Sequence, residues 1–172
     1  EISACLVGSE MCIRDSLGTS ESHFRAVCEM LKRQEHPAIF TGGLEPSLLQ
    51  QWQANLLREL KPKRLYTAYD TKDDLEPLIE MGKKLRTAGF APSSHTMCCY
   101  VLCGYEEDSF DEAEKRMRQT MHAGFIPYAM LFRNEEGRTD AKWRRFQREW
   151  CRPIITGKKF NEFWYERSGE RG

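Results

Sequence analysis

Three charged residues of the chain each follow a run of residues that predicts a β-strand. These residues are Glu45, Asp70 and Arg133. A carboxylate can accept hydrogen bonds from an amine or a ribose, and the bidentate guanidinium of an arginine can bind a carboxylate. Together they match a ligand that combines an amino acid with a nucleoside better than they match an inorganic ion.

Glycines stand at two of the same strand ends. Gly42 and Gly43 precede Glu45, and Gly104 precedes Tyr105. Glycine lets a ligand approach the backbone closely. The paired glycine lacks the GxxxxGK[ST] and GxGxxG spacings, which disfavours a phosphate-binding loop. We therefore expect the strand ends to bind a ligand through a set of six residues, with Arg133 beside them: Gly42, Gly43, Glu45, Asp70, Gly104 and Tyr105.

Simpler interpretations of these residues remain open. Asp70 can merely begin the next helix, Glu45 can be solvated, and Arg133 can pair with one of them. A second functional class is a (β/α) hydrolase or lyase that uses Glu45 and Asp70 as acid and base. A third is a non-catalytic module that binds a nucleoside.

The apolar run 97–104, which predicts a strand, contains three cysteines. Cysteines are common metal ligands, but the geometry of a strand argues against a metal site here. Cys99 and Cys103 are separated by four residues of predicted strand, which span about 13 Å. Cys98 and Cys99 point to opposite faces. We expect these three residues to be buried as small apolar side chains, and we expect no metal ligands here. His95 and His122 are assigned to surface or helix-end positions.

The elements that must position these residues alternate along the chain. Four apolar runs predict strands, at 38–43, 64–70, 97–104 and 128–132. Apolar residues at helical spacing predict one helix before the first strand and one after each strand: 22–35, 46–60, a helix that begins at 71–74, one from Ser109 to about His122, and 140–151. A period of about 30 residues implies parallel strands joined by right-handed crossovers. The fold class is therefore α/β, either an open doubly wound sheet or an arc of a (β/α) barrel, and both fold types bind ligands at the carboxyl ends of their strands.

Composition excludes some functions. The 172 residues contain 26 basic and 26 acidic side chains, so the net charge offers no overall basic field for nucleic acid or an anionic membrane. No apolar run approaches the length of about 20 residues that a membrane-spanning helix needs. Seven cysteines, an odd number in no regular framework, favour a reducing compartment and hence a cytoplasmic protein.

The two ends of the chain differ from its centre. Residues 1–16, EISACLVGSEMCIRDS, resemble translated adapter sequence found at the ends of unrelated proteins. We exclude them from the fold and expect them to be disordered. The (β/α) domain is predicted over residues 22–156, and residues 157–172 form a C-terminal tail that can pack back onto the last predicted helix.

Four segments resemble the later half of radical S-adenosylmethionine (SAM) enzymes. The likeness covers residues 24–156 and rests on FTGGLEP (40–46), LYTAYD (65–70), CYVLCGYEEDSFDEAEKR (99–116) and PYAMLFR (127–133). It implies a partial TIM-type barrel of which about four strands, the third to the sixth, are present. It also implies S-adenosylmethionine and a [4Fe-4S] cluster as cofactors, with hydrogen abstraction from an unknown substrate.

By this resemblance each candidate residue has a role. Glu45 and Asp70 would face the methionyl or ribose moiety, Gly104 and Tyr105 the adenine, and Arg133 the substrate. The chain departs from the family because no CxxxCxxC motif precedes Ala38. We therefore expect the first strands and the cluster ligands to be missing, the chain alone to be inactive, and the exposed edge of the 38–43 strand to permit self-association.

Overall fold

The structure is a computed structural model that describes residues 17–105, 108–133 and 140–168, with side chains described as far as Phe163 in the last helix. Within these ranges the chain is an α/β protein with one four-stranded sheet and six α-helices. The elements are α1 (Glu21–Lys32), β1 (Ile39–Leu44), α2 (Gln51–Glu59), β2 (Arg64–Tyr69), α3 (Leu75–Thr87), β3 (Met97–Cys103), α4 (Phe110–Ala123), β4 (Ile126–Leu131), α5 (Ala141–Cys151) and α6 (Pro153–Ser168). Residues 1–16, for which we expect disorder, lie outside the described residues.

All strand pairs of the sheet are parallel, as the repeat predicts. The strands lie in the order β1-β2-β3-β4, so each strand is adjacent to the next one in the chain. Right-handed crossovers between sequential neighbours place every connecting helix on the same face of the sheet. The carboxyl ends of all four strands therefore meet at one edge.

The first four helices form a row against the face of the sheet that carries Leu65, Thr67 and Tyr69. Tyr69 marks this face, because its hydroxyl donates a hydrogen bond to Oε1 of Gln119 in α4 at 2.8 Å. Along the row, α1 contacts α2, α2 contacts α3, and α3 contacts α4. The core lies between this row and the sheet, where Leu65 and Tyr69 are both 1% exposed.

Two helices end in the AGFxP repeat that recurs 35 residues apart in the sequence. Gly89 and Gly124 both have φ of +99°, a left-handed conformation that favours glycine. The Phe90 amide donates to the Leu85 carbonyl, and the Phe125 amide donates to the equivalent carbonyl at the end of α4. These bonds are those of the Schellman motif, so the repeat ends α3 and α4 in the same way.

The free edge of β4 is covered. Phe132 donates its amide to the Cys103 carbonyl at 2.9 Å, so even-numbered residues of β4 bond to β3 and odd-numbered ones point outward. Pro127, which has no amide hydrogen, occupies an outward position, as proline does in edge strands. Gln147 of α5 donates to the outward carbonyl of Ala129 at 3.2 Å. Pro127 and the Gln147 bond thus disfavour pairing of this edge with another strand.

Several element boundaries differ from the predictions. Strand β1 continues through Gly42 and Gly43 to Leu44, and the predicted 46–60 helix begins with a 3₁₀ turn before α2. Strand β4 begins two residues earlier than predicted, at Ile126. Residues 153–168, for which no helix was predicted, form α6, which contacts α5 as the tail was expected to do.

The two histidines assigned to surface or helix-end positions lie near helix ends. His95 follows the 3₁₀ turn Pro92–Ser94, is half-buried, and its Nε2 lies 2.8 Å from Oδ1 of Asn161. His122 is exposed in the last turn of α4. In the described ranges no helix combines the length and apolarity that crossing a bilayer requires.

Candidate functional site

The face of the sheet opposite the row of α1–α4 is partly open. Alternation along parallel strands puts Tyr66, Tyr100 and Tyr128 on this face, and the register places Tyr100 directly beside Tyr128. All three side chains are half-buried, while Met130 farther along β4 is 47% exposed. We refer to Tyr66, Tyr100 and Tyr128 as the tyrosine face.

The three tyrosines contact one another. The rings of Tyr66 and Tyr100 are stacked with centroids 4.7 Å apart and an interplanar angle of 12°, and the Tyr128 centroid lies 5.8 Å from that of Tyr66. Burial raises the pKa of both Tyr66 and Tyr128. Tyr66 and Tyr128 therefore have neutral phenols that can form hydrogen bonds at physiological pH, within a group of rings that pack against one another.

Glu45 and Asp70 follow adjacent strands and lie at the same edge of the sheet. Leu44 is level with Thr67, so Glu45 comes level with Ala68, two residues before Asp70. Continuing the strand spacing gives about 8 Å between their Cα atoms. Glu45 is half-buried, with Oε1 accepting a hydrogen bond from the Ser47 hydroxyl at 2.9 Å.

Asp70 is exposed and begins a turn. Its backbone amide donates to Oδ2 of Asp74 at 3.0 Å, and the amide and hydroxyl of Thr71 donate to the same oxygen. The two predicted carboxylate residues thus lie at the same edge of the sheet, each after one of two adjacent parallel strands.

Gly42 and Gly43 lie near the end of β1, as the predicted strand 38–43 has them. The register shifts between Phe40 and Leu44, which pair with Leu65 and Thr67, so β1 holds two extra residues in a bulge. Gly43 has φ of +73°, and a Cβ built on it would meet nothing within 4 Å. The backbone at Gly43 is therefore accessible at the edge of the sheet.

Gly104 does not have the open surroundings that we expected for adenine binding. A Cβ built on it would lie 3.2 Å from the Trp143 indole, so a side chain of α5 fills the space beside it. Its amide donates to Oδ2 of Asp108 at 2.8 Å. This glycine accommodates Trp143 and a positive φ of +74°, both of which are packing requirements within the chain.

Tyr105 and Arg133 lie at the ends of neighbouring strands. Tyr105 is 45% exposed and contacts the edge of Phe132 with ring centroids 4.7 Å apart. Phe132 is 37% exposed, and Arg133 is exposed one residue farther along. These side chains form an aromatic rim, with one cation, on the β3–β4 side of the strand ends.

A buried ion pair below this rim was not predicted. Nη2 of Arg116 donates to Oδ2 of Asp108 at 2.6 Å and to the Leu102 carbonyl at 3.0 Å. Nε of Arg116 is buried without a hydrogen-bond partner among the described residues. Burial alone would lower the pKa of Arg116, but its bonds to Asp108 outweigh that effect and raise it. The acidic run 106–108 was the only available signal, and it does not indicate which carboxylate turns inward.

The cysteines of β3 are buried, as predicted. Cys98, Cys99 and Cys103 are each 0% exposed, and Cys98 lies on the opposite face from the other two. Burial raises the pKa of Cys98 and of Cys103 to about 12, which disfavours the thiolate that a metal requires. Among the described residues no group of three or more His, Cys, Asp or Glu side chains could hold a metal ion.

Two surface grooves lie away from the strand ends. One is between α4, α5 and α6 and is lined by Arg118, Trp150 and Lys159 among others. The other is near the amino-terminal end of β3, beside Arg58 and Phe90. Neither contains a residue that the sequence marks as functional.

Comparison with known proteins assigns no family. No family model matches the chain, and no curated protein or solved structure matches it either.

Proposed function

We propose that this chain binds the adenosyl group of S-adenosylmethionine at the carboxyl ends of its strands, as part of a radical SAM-type partial (β/α) barrel. The observation that carries the proposal is the combination of sequential parallel strands with helices α1–α4 on one face only. In such an arrangement the other face, here the tyrosine face, corresponds to a barrel interior.

The groups at this edge suit the parts of the ligand. Glu45 and Asp70 would accept hydrogen bonds from the ribose hydroxyls or the methionyl ammonium. The accessible backbone at Gly43 would border the same groups, and the tyrosine face would stack against the purine. Tyr105 would lie at the rim, with Arg133 toward the substrate.

The described residues do not fit an iron–sulfur cluster. Cluster binding requires thiolates that converge on one point, whereas Cys28, Cys98, Cys99 and Cys103 are buried thiols with raised pKa values. We therefore derive no reaction step through a cluster. The chemistry that this chain contributes in the proposal is binding and orientation of the adenosyl ligand.

Isothermal titration calorimetry with S-adenosylmethionine tests the proposal. We expect Glu45→Gln and Asp70→Asn each to weaken binding by about tenfold, the value of one charge-assisted hydrogen bond. The matched controls Glu76→Gln and Asp73→Asn remove exposed carboxylates from the turn and helix that follow β2, and they should leave the affinity unchanged.

Partial ligands refine the same experiment. Adenosine should bind measurably and compete with S-adenosylmethionine, because in the proposal the tyrosine face contacts the purine. Absence of binding at millimolar ligand, or equal affinity for all four variants, would reject the proposed site.

A further inference from the structure

The charge of this protein is unevenly distributed although its formal net charge is zero. Between Asp140 and Lys159 the sequence contains seven basic residues and only two acidic ones. Four of the basic residues belong to α5, which contains a single acid, Glu149. The rest of the chain must therefore carry an equal excess of acidic groups. This segment therefore has an excess of five positive charges that the zero net charge of the whole chain conceals.

Helix α5 directs its cations away from the protein. Its inner face packs against the fold, with Trp150 only 4% exposed and Gln147 bonded to β4. The exposed face carries the four basic residues of the helix: Lys142, Arg144, Arg145 and Arg148. Arg145 pairs with Glu149 at 3.6 Å, but its side chain is still 85% exposed. We call these four residues the basic stripe.

Exposed aromatic rings border the first turns of the same helix. Phe110 is 40% exposed and lies 4.3 Å from Trp143 of α5, measured between ring centroids. Trp143 also packs against Gly104, which leads directly into Tyr105 and its partner Phe132. Since Gly104 contacts Trp143, this pair lies near the first turn of α5, to which Lys142 and Arg144 of the stripe also belong.

We propose that the basic stripe and the adjacent Tyr105–Phe132 pair bind single-stranded nucleic acid. Arginine forks bind phosphate oxygens, and exposed aromatic rings stack with unpaired bases, which is the combination that single-strand binding surfaces use. The apolar side of α5 is buried within the protein, so the helix has no exposed apolar face that could insert into a membrane. An acidic peptide would form ion pairs with the four basic residues, but it has no series of planar groups on which the rings of Tyr105 and Phe132 could stack.

Fluorescence anisotropy with labelled oligo(U) and oligo(dT) of about twelve nucleotides, across a range of salt concentrations, tests this surface. The triple variant Arg144→Gln, Arg145→Gln, Arg148→Gln should bind at least about tenfold more weakly. Its slope of log affinity against log salt should be smaller by about two, because three phosphate contacts are lost.

A control variant that loses the same number of positive charges distinguishes binding at the basic stripe from a general effect of net charge. The triple variant Lys72→Gln, Lys83→Gln, Arg118→Gln removes three exposed cations from elsewhere on the surface. Its affinity for the oligonucleotides should stay within about twofold of the wild-type value. Equal weakening in both triple variants would overturn the proposal.

The rings require their own test. Tyr105→Ala and Phe132→Ala should each weaken binding by about five- to a hundredfold with an unchanged salt slope, since each stacks on a base. Tyr105→Phe and Phe132→Tyr should retain binding. Unchanged affinity in the alanine variants, or tighter binding to vesicles of phosphatidylcholine and phosphatidylglycerol than to the oligonucleotides, would overturn the assignment to nucleic acid.

Tyr105 belongs to both proposed sites, whereas the basic stripe belongs to the nucleic-acid surface alone. The arginine variants alter neither Glu45 nor Asp70, so titration of the triple variant with S-adenosylmethionine reports on the proposed function separately.

Discussion

Arg116 and Asp108 form a largely buried ion pair that holds the loop after β3 against α4. Their side chains are only 14% and 8% exposed, and Nη2 lies 2.6 Å from Oδ2. The same carboxylate oxygen accepts the Gly104 amide, while the guanidinium also donates to the Leu102 carbonyl. The pair therefore determines where Gly104 and Tyr105 lie relative to the ends of the other strands.

Replacement of Asp108 by asparagine should strongly destabilise the protein. The variant leaves the Arg116 guanidinium buried without its counter-charge, which costs more than the pair itself contributes. We expect the free energy of unfolding to fall by about 2–4 kcal/mol, measured by urea denaturation.

An exposed ion pair of the same helix is the control for Asp108. Glu114 and Arg118 lie 2.7 Å apart with 45% and 61% exposure, so Glu114→Gln should cost less than about 1 kcal/mol. Similar losses in the two variants would show that Asp108 and Arg116 are solvated.

Gly82 should be essential for the close packing of α3 against α4. A Cβ at this position would lie 2.1 Å from the carbonyl oxygen of Ala123, a backbone atom that can move only with its helix. Gly82→Ala should therefore destabilise the protein by about 1–3 kcal/mol, although alanine is the better helix former by about 1 kcal/mol. Thermal and urea unfolding would measure the change.

Replacement of Gly157 in α6 by alanine should have the opposite effect on stability. Its Cβ would lie 3.5 Å from the His95 ring, an ordinary contact. Gly157→Ala should thus stabilise the protein by about 0.5–1 kcal/mol through helix propensity alone. If Gly82→Ala stabilises the protein as Gly157→Ala does, the close approach of α3 and α4 is wrong.

Gln147 should show a pH-dependent effect when it is replaced by glutamate. The side chain of Gln147 donates to the Ala129 carbonyl at the edge of β4. An ionised glutamate cannot donate and would face that oxygen, which costs about 1–3 kcal/mol at pH 7. Below about pH 5 the carboxyl becomes protonated and can donate again, so the difference in unfolding free energy from the wild type should shrink.

Gln147→Leu separates loss of the donor from charge repulsion. It should destabilise by about 1 kcal/mol at both pH values, since it has no titrating group. A glutamate variant whose deficit is the same at pH 7 and at pH 4.5 would place residue 147 away from the Ala129 carbonyl.

Local sequence signals predicted the architecture well where a short segment decides the outcome. Strand β2, Arg64–Tyr69, ends one residue before the predicted limit of 64–70, and Ser109, where a helix was predicted to begin, accepts the Glu112 amide as an N-cap. Cys99 and Cys103 are buried because an apolar strand covered by α4 leaves them no solvent. In each case neighbouring residues carry the information.

The surroundings of the strand-end glycines depend on contacts that are distant in sequence. Gly104 was expected to admit a ligand, but Trp143, about 40 residues later, fills that space. Gly43 was expected to admit a ligand at the end of its strand, and there a Cβ would meet nothing within 4 Å. A glycine permits close approach without specifying what approaches, so the pattern alone could not distinguish the two cases.

The buried thiol of Cys103 should make the stability of the protein decrease at alkaline pH. Burial, opposed by the smaller effect of Arg116, raises the pKa of this thiol to about 12, whereas in the unfolded chain it ionises near 8.5. Between these values the unfolded state binds fewer protons, so the free energy of unfolding falls as pH rises, by up to about 1.4 kcal/mol per pH unit for each such thiol. Cys103→Ala should therefore show a shallower decline between about pH 9 and pH 10.5 in urea titrations. Val101→Ala removes a buried neighbour without a titrating group and should keep the wild-type slope; identical slopes in all three proteins would mean that Cys103 ionises equally easily in the folded state.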